Sequence, residues 1–205
     1  MSHTLAEKRG TVNSNTVSFG GFTEETMEIE LVTKADVGRI MEIYRYYVEQ
    51  TDITFEYVMP SEEEFTGRIR DILKKFPYLV AKEDGKIWGY AYAAPFKGRA
   101  AYDWSVETTI YVDQEAPGRG IGTQLYRELE KRLAAQNIQN LNACITYPND
   151  RSISFHTKRG YKTVAHFTKC GYKFDRWLDM IWMEKFLGTH PEVPQPVRWA
   201  NLALE

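Results

Sequence analysis

The feature that most constrains the fold of this chain is a glycine-rich turn that leads directly into a helix. Three glycines, Gly118, Gly120 and Gly122, fall within five positions. Apolar side chains then recur every fourth position, which predicts a helix over residues 120–137. The run VETTIYVD before the turn is rich in β-branched residues, and LNACIT after the helix is a short apolar run. The turn therefore belongs to a strand–helix–strand unit.

A turn of this kind suits a bound anion, because the first N–H groups of a helix lack partners and carry about half a positive charge. Glycine lets a phosphate approach those donors closely. Thr123 and Gln124 follow Gly122, where a nucleoside triphosphate loop needs Lys and then Ser or Thr. A dinucleotide loop would need glycine in place of Thr123 and would follow its strand immediately. From these residues alone, a turn that only permits tight packing remains the alternative.

Other segments predict strands and helices around this unit. Residues 29–31 alternate as in a strand, and a helical stripe of apolar residues follows over 37–48. Ser61 and Glu64 have the spacing of a capping box, and they open a second helix that Pro77 ends. The tripeptide Glu-Asp-Gly at 83–85 separates two strand-like runs, which predicts a hairpin.

Composition divides the chain into three regions. Residues 1–26 are rich in Ser, Thr, Asn and Gly, and they predict a flexible polar leader. Residues 27–188 predict one folded domain, which also includes a short helix over 152–159 and a strand pair joined near 171–175. Residues 189–205 form a Pro-rich C-terminal tail without a regular pattern.

Charge and hydropathy exclude several classes of partner. The 26 basic and 28 acidic residues give a net charge of −2, so no overall field attracts nucleic acid or an anionic membrane. We find no apolar run of membrane-spanning length and no secretory signal pattern, and we expect a cytoplasmic protein. Cys144 and Cys170 have neither zinc-ligand spacing nor the pattern of a disulfide framework, so no metal site is expected.

Several longer motifs resemble one superfamily. The run VETTIYVDQEAPGRGIGTQLYREL, followed by NACITYPNDRSISFHTKRGY, resembles the GNAT superfamily of acyl-CoA-dependent N-acyltransferases. YDWSVETTIYV, PND and GYKFDRWLDM are most similar to its phosphinothricin and methionine sulfoximine N-acetyltransferase group. The resemblance covers about residues 27–197. It implies an α+β fold with a mixed, mostly antiparallel central sheet flanked by helices on both faces. It also implies acetyl-CoA as cosubstrate, a small amine or amino acid as acceptor, and a homodimer.

The resemblance assigns the glycine turn to the pyrophosphate of acetyl-CoA. Pro117 stands where the superfamily usually has Arg or Gln, so one side-chain contact is missing and Arg119 is the available cation. The strand before the turn is expected to lie beside the pantetheine arm, with the Val112 N–H as donor to the thioester oxygen. The resemblance implies these cofactor-binding residues: Ile110, Tyr111, Val112, Gly118, Arg119, Gly120, Ile121, Gly122, Thr123, Asn149 and Ser152.

Catalysis by the same resemblance needs a base, because amines are mostly protonated at neutral pH. Glu107 occupies the position of the group's proposed base. His156 replaces the superfamily's usual tyrosine and is expected to donate a proton to the leaving thiolate or to relay protons. The loop PFKGRAAYDW is expected to face the acceptor, with basic residues for a carboxylate and aromatic residues as walls. Those residues are Phe96, Lys97, Arg99, Tyr102 and Trp104.

Three other functions stay open at this point. Cys144 could accept the acyl group in a two-step mechanism, although strand cysteines are usually inert. The acceptor could be a protein N-terminus or another small amine. The chain could also be a non-catalytic acetyl-CoA-binding module that regulates a partner. Direct transfer to the α-amine of a small amino acid or analogue is the leading expectation.

Overall fold

Seven strands, four α-helices and two short 3-10 helices make up the regular structure of the described residues. The computed structural model describes residues 27–116, 118 and 120–205, so the predicted leader, Pro117 and Arg119 lie outside the described part. The strands are β1 (Glu28–Leu31), β2 (Tyr78–Glu83), β3 (Lys86–Pro95), β4 (Ser105–Val112), β5 (Asn140–Tyr147), β6 (Lys162–Lys173) and β7 (Arg176–Phe186). The helices are α1 (Val37–Gln50), α2 (Glu62–Leu73), α3 (Ile121–Ala135) and α4 (Asp150–Thr157).

All seven strands form one sheet in the order β1-β2-β3-β4-β5-β7-β6. Only β4 and β5 run parallel, and α3 connects them as the crossover that parallel neighbours require. Every other neighbouring pair is antiparallel. The expected mixed, mostly antiparallel sheet is confirmed.

Helices cover both faces of this sheet. Side chains alternate between the faces along a strand, so Leu79 and Ala81 of β2 join one core cluster while Tyr78 and Val80 join another. The first cluster holds the apolar stripe of α3 and the second holds those of α1 and α2. Each of these three helices is amphipathic and buries its apolar face against the sheet.

Local sequence signals account for the ends of several elements. Ser61 Oγ accepts the Glu64 N–H at 3.2 Å, which caps α2 as predicted. The β2–β3 hairpin turns at Asp84 and Gly85, whose φ angles are 50° and 75°. Two successive positive φ angles match the twist of a hairpin, and Asp and Gly tolerate them best.

The C-terminal residues have no helix or strand after β7, as predicted, yet they pack on the domain. Trp199 contacts Phe76 with ring centroids 5.7 Å apart. The N–H groups of Ala200 and Leu202 donate to backbone carbonyls at the end of α2, and the Lys34 N–H donates to the Glu205 carbonyl. Residues 197–205 therefore strap α2 to the start of α1.

Among the described residues, no helix combines the length and apolar character needed to cross a bilayer.

We expect Trp199→Ala to lower the free energy of unfolding by about 2 kcal/mol, because it removes a partly buried aromatic side chain from the core. Urea unfolding followed by circular dichroism measures the change. Val193→Ala, at a residue that is 76% exposed, is the matched control and should leave the midpoint unchanged. Equal urea midpoints for the two variants would contradict a stabilising role for the C-terminal strap.

Candidate functional site

The site begins where β4 and β5 part. These strands share only three residue pairs, Ser105–Glu107 with Asn140–Asn142. Beyond them β4 stays paired with β3 as far as Val112, and β5 stays paired with β7 as far as Tyr147. The sheet therefore opens at its centre, and Glu107 is the last residue of β4 before the opening.

Two side chains end the ladder at this fork. The Asn142 side-chain N–H donates to the Val106 carbonyl at 3.1 Å, and Thr108 Oγ1 donates to the Asn142 carbonyl at 3.2 Å. All three residues are buried, so an unpaired backbone group here would be costly. The sequence analysis did not single out Thr108 or Asn142, because each reads as an ordinary strand residue.

The opening contains a cavity of about 260 Å³, which we call the inner cavity. Its walls are the inner edges of β4 and β5, part of the α1–α2 connection, the first turns of α4 with its N-cap, and one residue each from α3 and β7. The lining residues are Ile53, Thr54, Phe55, Glu107, Thr108, Thr109, Ile110, Tyr111, Tyr126, Ala143, Cys144, Ile145, Thr146, Asn149, Ser152, His156 and Met180.

A second cavity of about 400 Å³, the turn cavity, adjoins the first and extends to the glycine turn. Five residues line both cavities: Ile53, Ile110, Asn149, Ser152 and His156. The turn cavity is also lined by residues predicted for the cofactor, namely Val112, Gly118, Gly120, Ile121, Gly122 and Thr123. With Tyr111 in the inner cavity, every described residue predicted for the cofactor lies along this continuous space.

The glycine turn has the geometry that only glycine fits well. Gly120 precedes α3 with φ at 74°, a left-handed conformation that side chains rarely adopt. A Cβ on Gly122 would lie 2.9 Å from Phe155 Cε2, so α4 packs directly on the start of α3. The turn thus keeps the first amides of α3 approachable from the cavity, which suits a phosphate group.

Arg159 places a cation beside this helix start. Its guanidinium donates to Thr123 Oγ1 and lies 3.6 Å from the ring centroid of Phe155. A cation near these amides complements an anion. Sequence reasoning missed Arg159, since it was only the last residue of the predicted short helix 152–159, whereas in the structure the helix ends at Thr157.

Glu107 is a partly buried carboxyl in the inner cavity. Burial raises the pKa of Glu107, and the positive charge of Lys97 lowers it in part. A carboxyl with a raised pKa is a stronger base than an exposed glutamate. Glu107 therefore combines access to the cavity with a basicity suited to proton transfer.

His156 lies at the junction of the two cavities and is only 3% exposed. Nδ1 is 2.8 Å from the Ser152 carbonyl, which can only accept, so Nδ1 carries the proton. Nε2 is then an acceptor, 3.1 Å from the hydroxyl of Tyr126. Burial lowers the pKa of His156 to about 4. The imidazole is accordingly neutral at pH 7.

The hydroxyl of Tyr126 extends this network to the fork. It lies 3.3 Å from Thr108 Oγ1, which in turn lies 3.3 Å from the hydroxyl of Tyr161. A chain of buried polar groups thus joins α4, α3 and β4. Tyr126 was counted only as part of a helix, although a buried tyrosine hydroxyl usually needs a partner.

The predicted donor on β4 already has a partner. The Val112 N–H points to the hydroxyl of Tyr47 at 3.3 Å, and this hydroxyl donates to the Val112 carbonyl. Tyr47 belongs to α1 and lines the turn cavity. Its ring also packs on Tyr111, with centroids 4.8 Å apart. The Tyr47 hydroxyl therefore occupies both backbone groups of Val112 at the end of β4, where this strand borders the turn cavity.

Cys144 lines the inner cavity but is a poor nucleophile. Its side chain is exposed toward the cavity, yet loss of solvent around the thiol raises the pKa of Cys144 to about 12. The nearby carboxyl of Glu107 raises it further. A neutral thiol at pH 7 weighs against the two-step mechanism.

The loop predicted to wall the acceptor site lies outside both cavities. Phe96 packs edge-on against Tyr102 and Trp182, and Lys97 and Arg99 are exposed. The indole of Trp104 donates to the Gln195 carbonyl at 2.7 Å, so this residue holds the segment that precedes the C-terminal strap and does not face the cavity. Of the five loop residues, only Lys97 acts on the site, through its charge on Glu107.

Among the described residues, no cluster of three or more His, Cys, Asp or Glu side chains could hold a metal ion.

Comparison with known families identifies the fold and its chemistry. The family model described as "Acetyltransferase (GNAT) domain" matches residues 29–182. The chain belongs to the GNAT acetyltransferase family. It is an N-acetyltransferase, and the group suggested by the sequence motifs is confirmed by named relatives.

Two curated GNAT relatives match most of this chain. A phosphinothricin N-acetyltransferase from Streptomyces viridochromogenes is 35% identical, over 84% of this chain and 93% of the relative. An L-methionine sulfoximine/L-methionine sulfone acetyltransferase from Salmonella typhimurium is 29% identical, over 80% of this chain and 96% of the relative.

A solved GNAT structure matches the fold. The phosphinothricin acetyltransferase from Sinorhizobium meliloti, solved in complex with acetyl-CoA, superposes with a TM-score of 0.78 at 36% identity. The match covers 85% of this chain and 98% of the other.

The low pKa of His156 predicts how folding stability depends on pH in this GNAT domain. The unfolded chain binds a proton on this residue near pH 6.5, whereas the folded chain does so only near pH 4. Stability contributed by the neutral imidazole is therefore complete above pH 6.5 and lost as pH falls toward 4, by up to about 3 kcal/mol.

Urea unfolding of the wild type and His156→Gln at pH 7 and pH 4.5 measures this effect. We expect a smaller loss of unfolding free energy on acidification in the variant. His190→Gln, at an exposed histidine, is the control and should behave as wild type. The same loss in all three proteins would contradict the buried, neutral state of His156.

Proposed function

We propose that the chain transfers an acetyl group directly from acetyl-CoA to the α-amine of a small amino acid or analogue. Compounds of the phosphinothricin and methionine sulfoximine or sulfone type are the proposed acceptors. The opening between β4 and β5 carries this proposal, because it joins a glycine turn suited to phosphate with a cavity that contains a basic carboxylate. The names of the relatives support the choice of acceptor.

The residues along the opening fit acetyl-CoA. The left-handed turn at Gly120 leaves the start of α3 open to a pyrophosphate, with Arg159 as the nearby cation. Gly122 lets α4 pack closely on α3. The inner edges of β4 and β5 offer backbone groups to an extended chain between them. When bound, acetyl-CoA would supply an activated acetyl thioester. Asn149 and Ser152 would lie beside its pantetheine arm, since they line both cavities.

We assign proton removal from the acceptor amine to Glu107. The amine must lose a proton to become a nucleophile, and the raised pKa of Glu107 suits it to accept one, directly or through water. The Val112 N–H now donates to the Tyr47 hydroxyl. Once that hydrogen bond is broken, this N–H is proposed to polarise the thioester carbonyl. Its present bond to Tyr47 is 3.3 Å long and is thus readily exchanged.

His156 is proposed to relay protons and not to act as an imidazolium donor. Its Nδ1 proton is bound to the Ser152 carbonyl, and its pKa of about 4 leaves no second proton at neutral pH. Only Nε2, which faces Tyr126, can exchange a proton with the network. Replacing His156 should therefore change the hydrogen bonding of the Tyr126 hydroxyl first. It should have less effect on protonation of the leaving CoA thiolate.

A homodimer is proposed through the outer hairpin of the sheet. β6 is an edge strand, and β6 and β7 expose apolar side chains such as Val164, Phe167 and Trp177 at 49–62% of their surface. Exposed apolar residues on an unpaired edge favour association with a second copy. The remaining expectation, a cytoplasmic location, also stays a proposal.

A thiol-release assay with purified protein and acetyl-CoA tests the function. The panel contains phosphinothricin, methionine sulfoximine, methionine sulfone, their parent amino acids, a polyamine and a peptide with a free N-terminus. We expect the amino-acid analogues to stimulate release most. Glu107→Gln should lower kcat/KM about 100-fold or more while leaving the dissociation constant of acetyl-CoA unchanged.

Glu63→Gln is the matched control, since Glu63 is exposed at the start of α2. Stimulation only by the peptide or the polyamine would favour the alternative acceptors. Binding of acetyl-CoA without release by any amine would contradict the proposed reaction.

The charge of Lys97 gives a prediction for the pH profile. Because Lys97 lowers the pKa of Glu107, Lys97→Met should raise that pKa and shift the acidic limb of kcat/KM to higher pH. The protonation of the amine contributes a second limb that is identical for both proteins. Lys131→Met, at an exposed lysine of α3, is the control and should leave the limb in place. An acidic limb that does not move would count against Glu107 as the base.

A further inference from the structure

Lys173, the last residue of β6, is a charged side chain that is only 2% exposed. Its Nζ donates to three backbone carbonyls, those of Val48 at 2.8 Å, Thr51 at 2.7 Å and Thr54 at 2.8 Å. These three bonds use every proton of the ammonium group. A buried cation is tolerated only when it is fully paired in this way. The carbonyls of Val48 and Thr51 also lie at the negative end of the α1 dipole, which favours a cation there.

The residues that Lys173 binds lead into the connection between α1 and α2, and we call residues 51–57 the wall loop. Three more contacts from the β6–β7 hairpin hold the wall loop. A Cβ on Gly171 would lie 2.2 Å from the ring of Phe55, so this ring packs on bare backbone. The hydroxyl of Tyr57 donates to the Tyr172 carbonyl, and Arg176 forms an ion pair with Asp52.

The wall loop also forms part of the inner cavity. Ile53, Thr54 and Phe55 line this cavity together with Glu107. Thr54 is thus bound to Lys173 through its carbonyl and lines the cavity itself. Phe55 is fixed by its contact with Gly171 and is a cavity wall as well. The position of this wall therefore depends on the end of β6, although Lys173 and Gly171 do not line the cavity.

We infer that Lys173 is a positioning residue for the acceptor: it fixes the wall loop so that the inner cavity holds the acceptor amine beside Glu107. This inference rests on the proposed function of the inner cavity. The three protons of the Lys173 ammonium are donated to carbonyls of α1 and the wall loop, whereas the glycine turn that would hold the pyrophosphate leads into α3. Thr51 and Ile53 of the wall loop also line the turn cavity, so the wall loop meets the acetyl-CoA space only at its edge. Loss of the lysine should therefore weaken binding of the acceptor more than binding of acetyl-CoA.

Lys173→Met keeps the aliphatic stem and removes all three donors. With the best acceptor of the thiol-release panel, we expect KM for the acceptor to rise about 10-fold or more, since small misplacements in a site reduce binding and rate strongly. The dissociation constant of acetyl-CoA, from calorimetry, should change less than about 2-fold, a difference of under 0.5 kcal/mol. Lys173→Arg, which keeps a charged donor, should restore part of the acceptor affinity.

Gly171→Ala provides a second variant in case the methionine variant does not fold. It should raise the acceptor KM in the same direction, because the methyl group must displace Phe55. Lys162→Met on the exposed start of β6 and Gly188→Ala, whose added Cβ has no neighbour within 4 Å, are the matched controls. Both controls should keep wild-type values.

Amide hydrogen exchange separates this inference from the proposed function. Exchange of residues 51–57 should accelerate in Lys173→Met and not in Lys162→Met, whether or not any acceptor is turned over. A wild type without amine-dependent thiol release would end the proposed function, and unchanged exchange in Lys173→Met would end the positioning role of Lys173. A parallel weakening of acceptor and acetyl-CoA binding would also overturn it, since a general loss of structure would explain both.

Discussion

The parting of β4 and β5 is the constraint on which the site depends. β4 stays hydrogen-bonded to β3, and β5 stays hydrogen-bonded to β7. The pairing between β4 and β5 ends after three residue pairs. The short buried side chains of Thr108 and Asn142 make the fork possible, because they satisfy the backbone carbonyls of Val106 and Asn142 where the ladder stops. Without such partners, the two edges would gain more by continuing to pair.

Burial at the fork decides which groups can carry charge. The same low-polarity surroundings raise the pKa of Glu107, raise that of the Cys144 thiol and lower that of His156. All three shifts favour the neutral form. Nearby cations modify these shifts. Lys97 offsets part of the rise for both Glu107 and Cys144. Arg159, in contrast, lowers the pKa of His156 further. The histidine and the cysteine are therefore uncharged at neutral pH, and Glu107 is the carboxyl of the cavity with a raised affinity for a proton.

Local patterns predicted much of the fold, and long-range contacts explain the rest. The helix after the glycine turn, the capped start of α2 and the hairpin at Asp84 depend on neighbouring residues, so the sequence could predict them. The position of the loop before β4 could not be predicted, because Trp104 bonds a carbonyl 91 positions away. Lys173 was missed for a similar reason. A lysine normally indicates surface, and its three carbonyl partners lie at least 119 positions distant.

The open centre of the sheet has a consequence for the lifetime of the protein. A ligand that occupies the gap takes the place of a missing strand and binds only the folded chain, so it adds stability in proportion to the logarithm of its concentration. At one hundred times the dissociation constant the gain is about 2.7 kcal/mol, which lowers the unfolded population roughly one hundredfold. Proteases act on that unfolded population. The abundance of the protein would then follow the supply of the molecule that fills its gap.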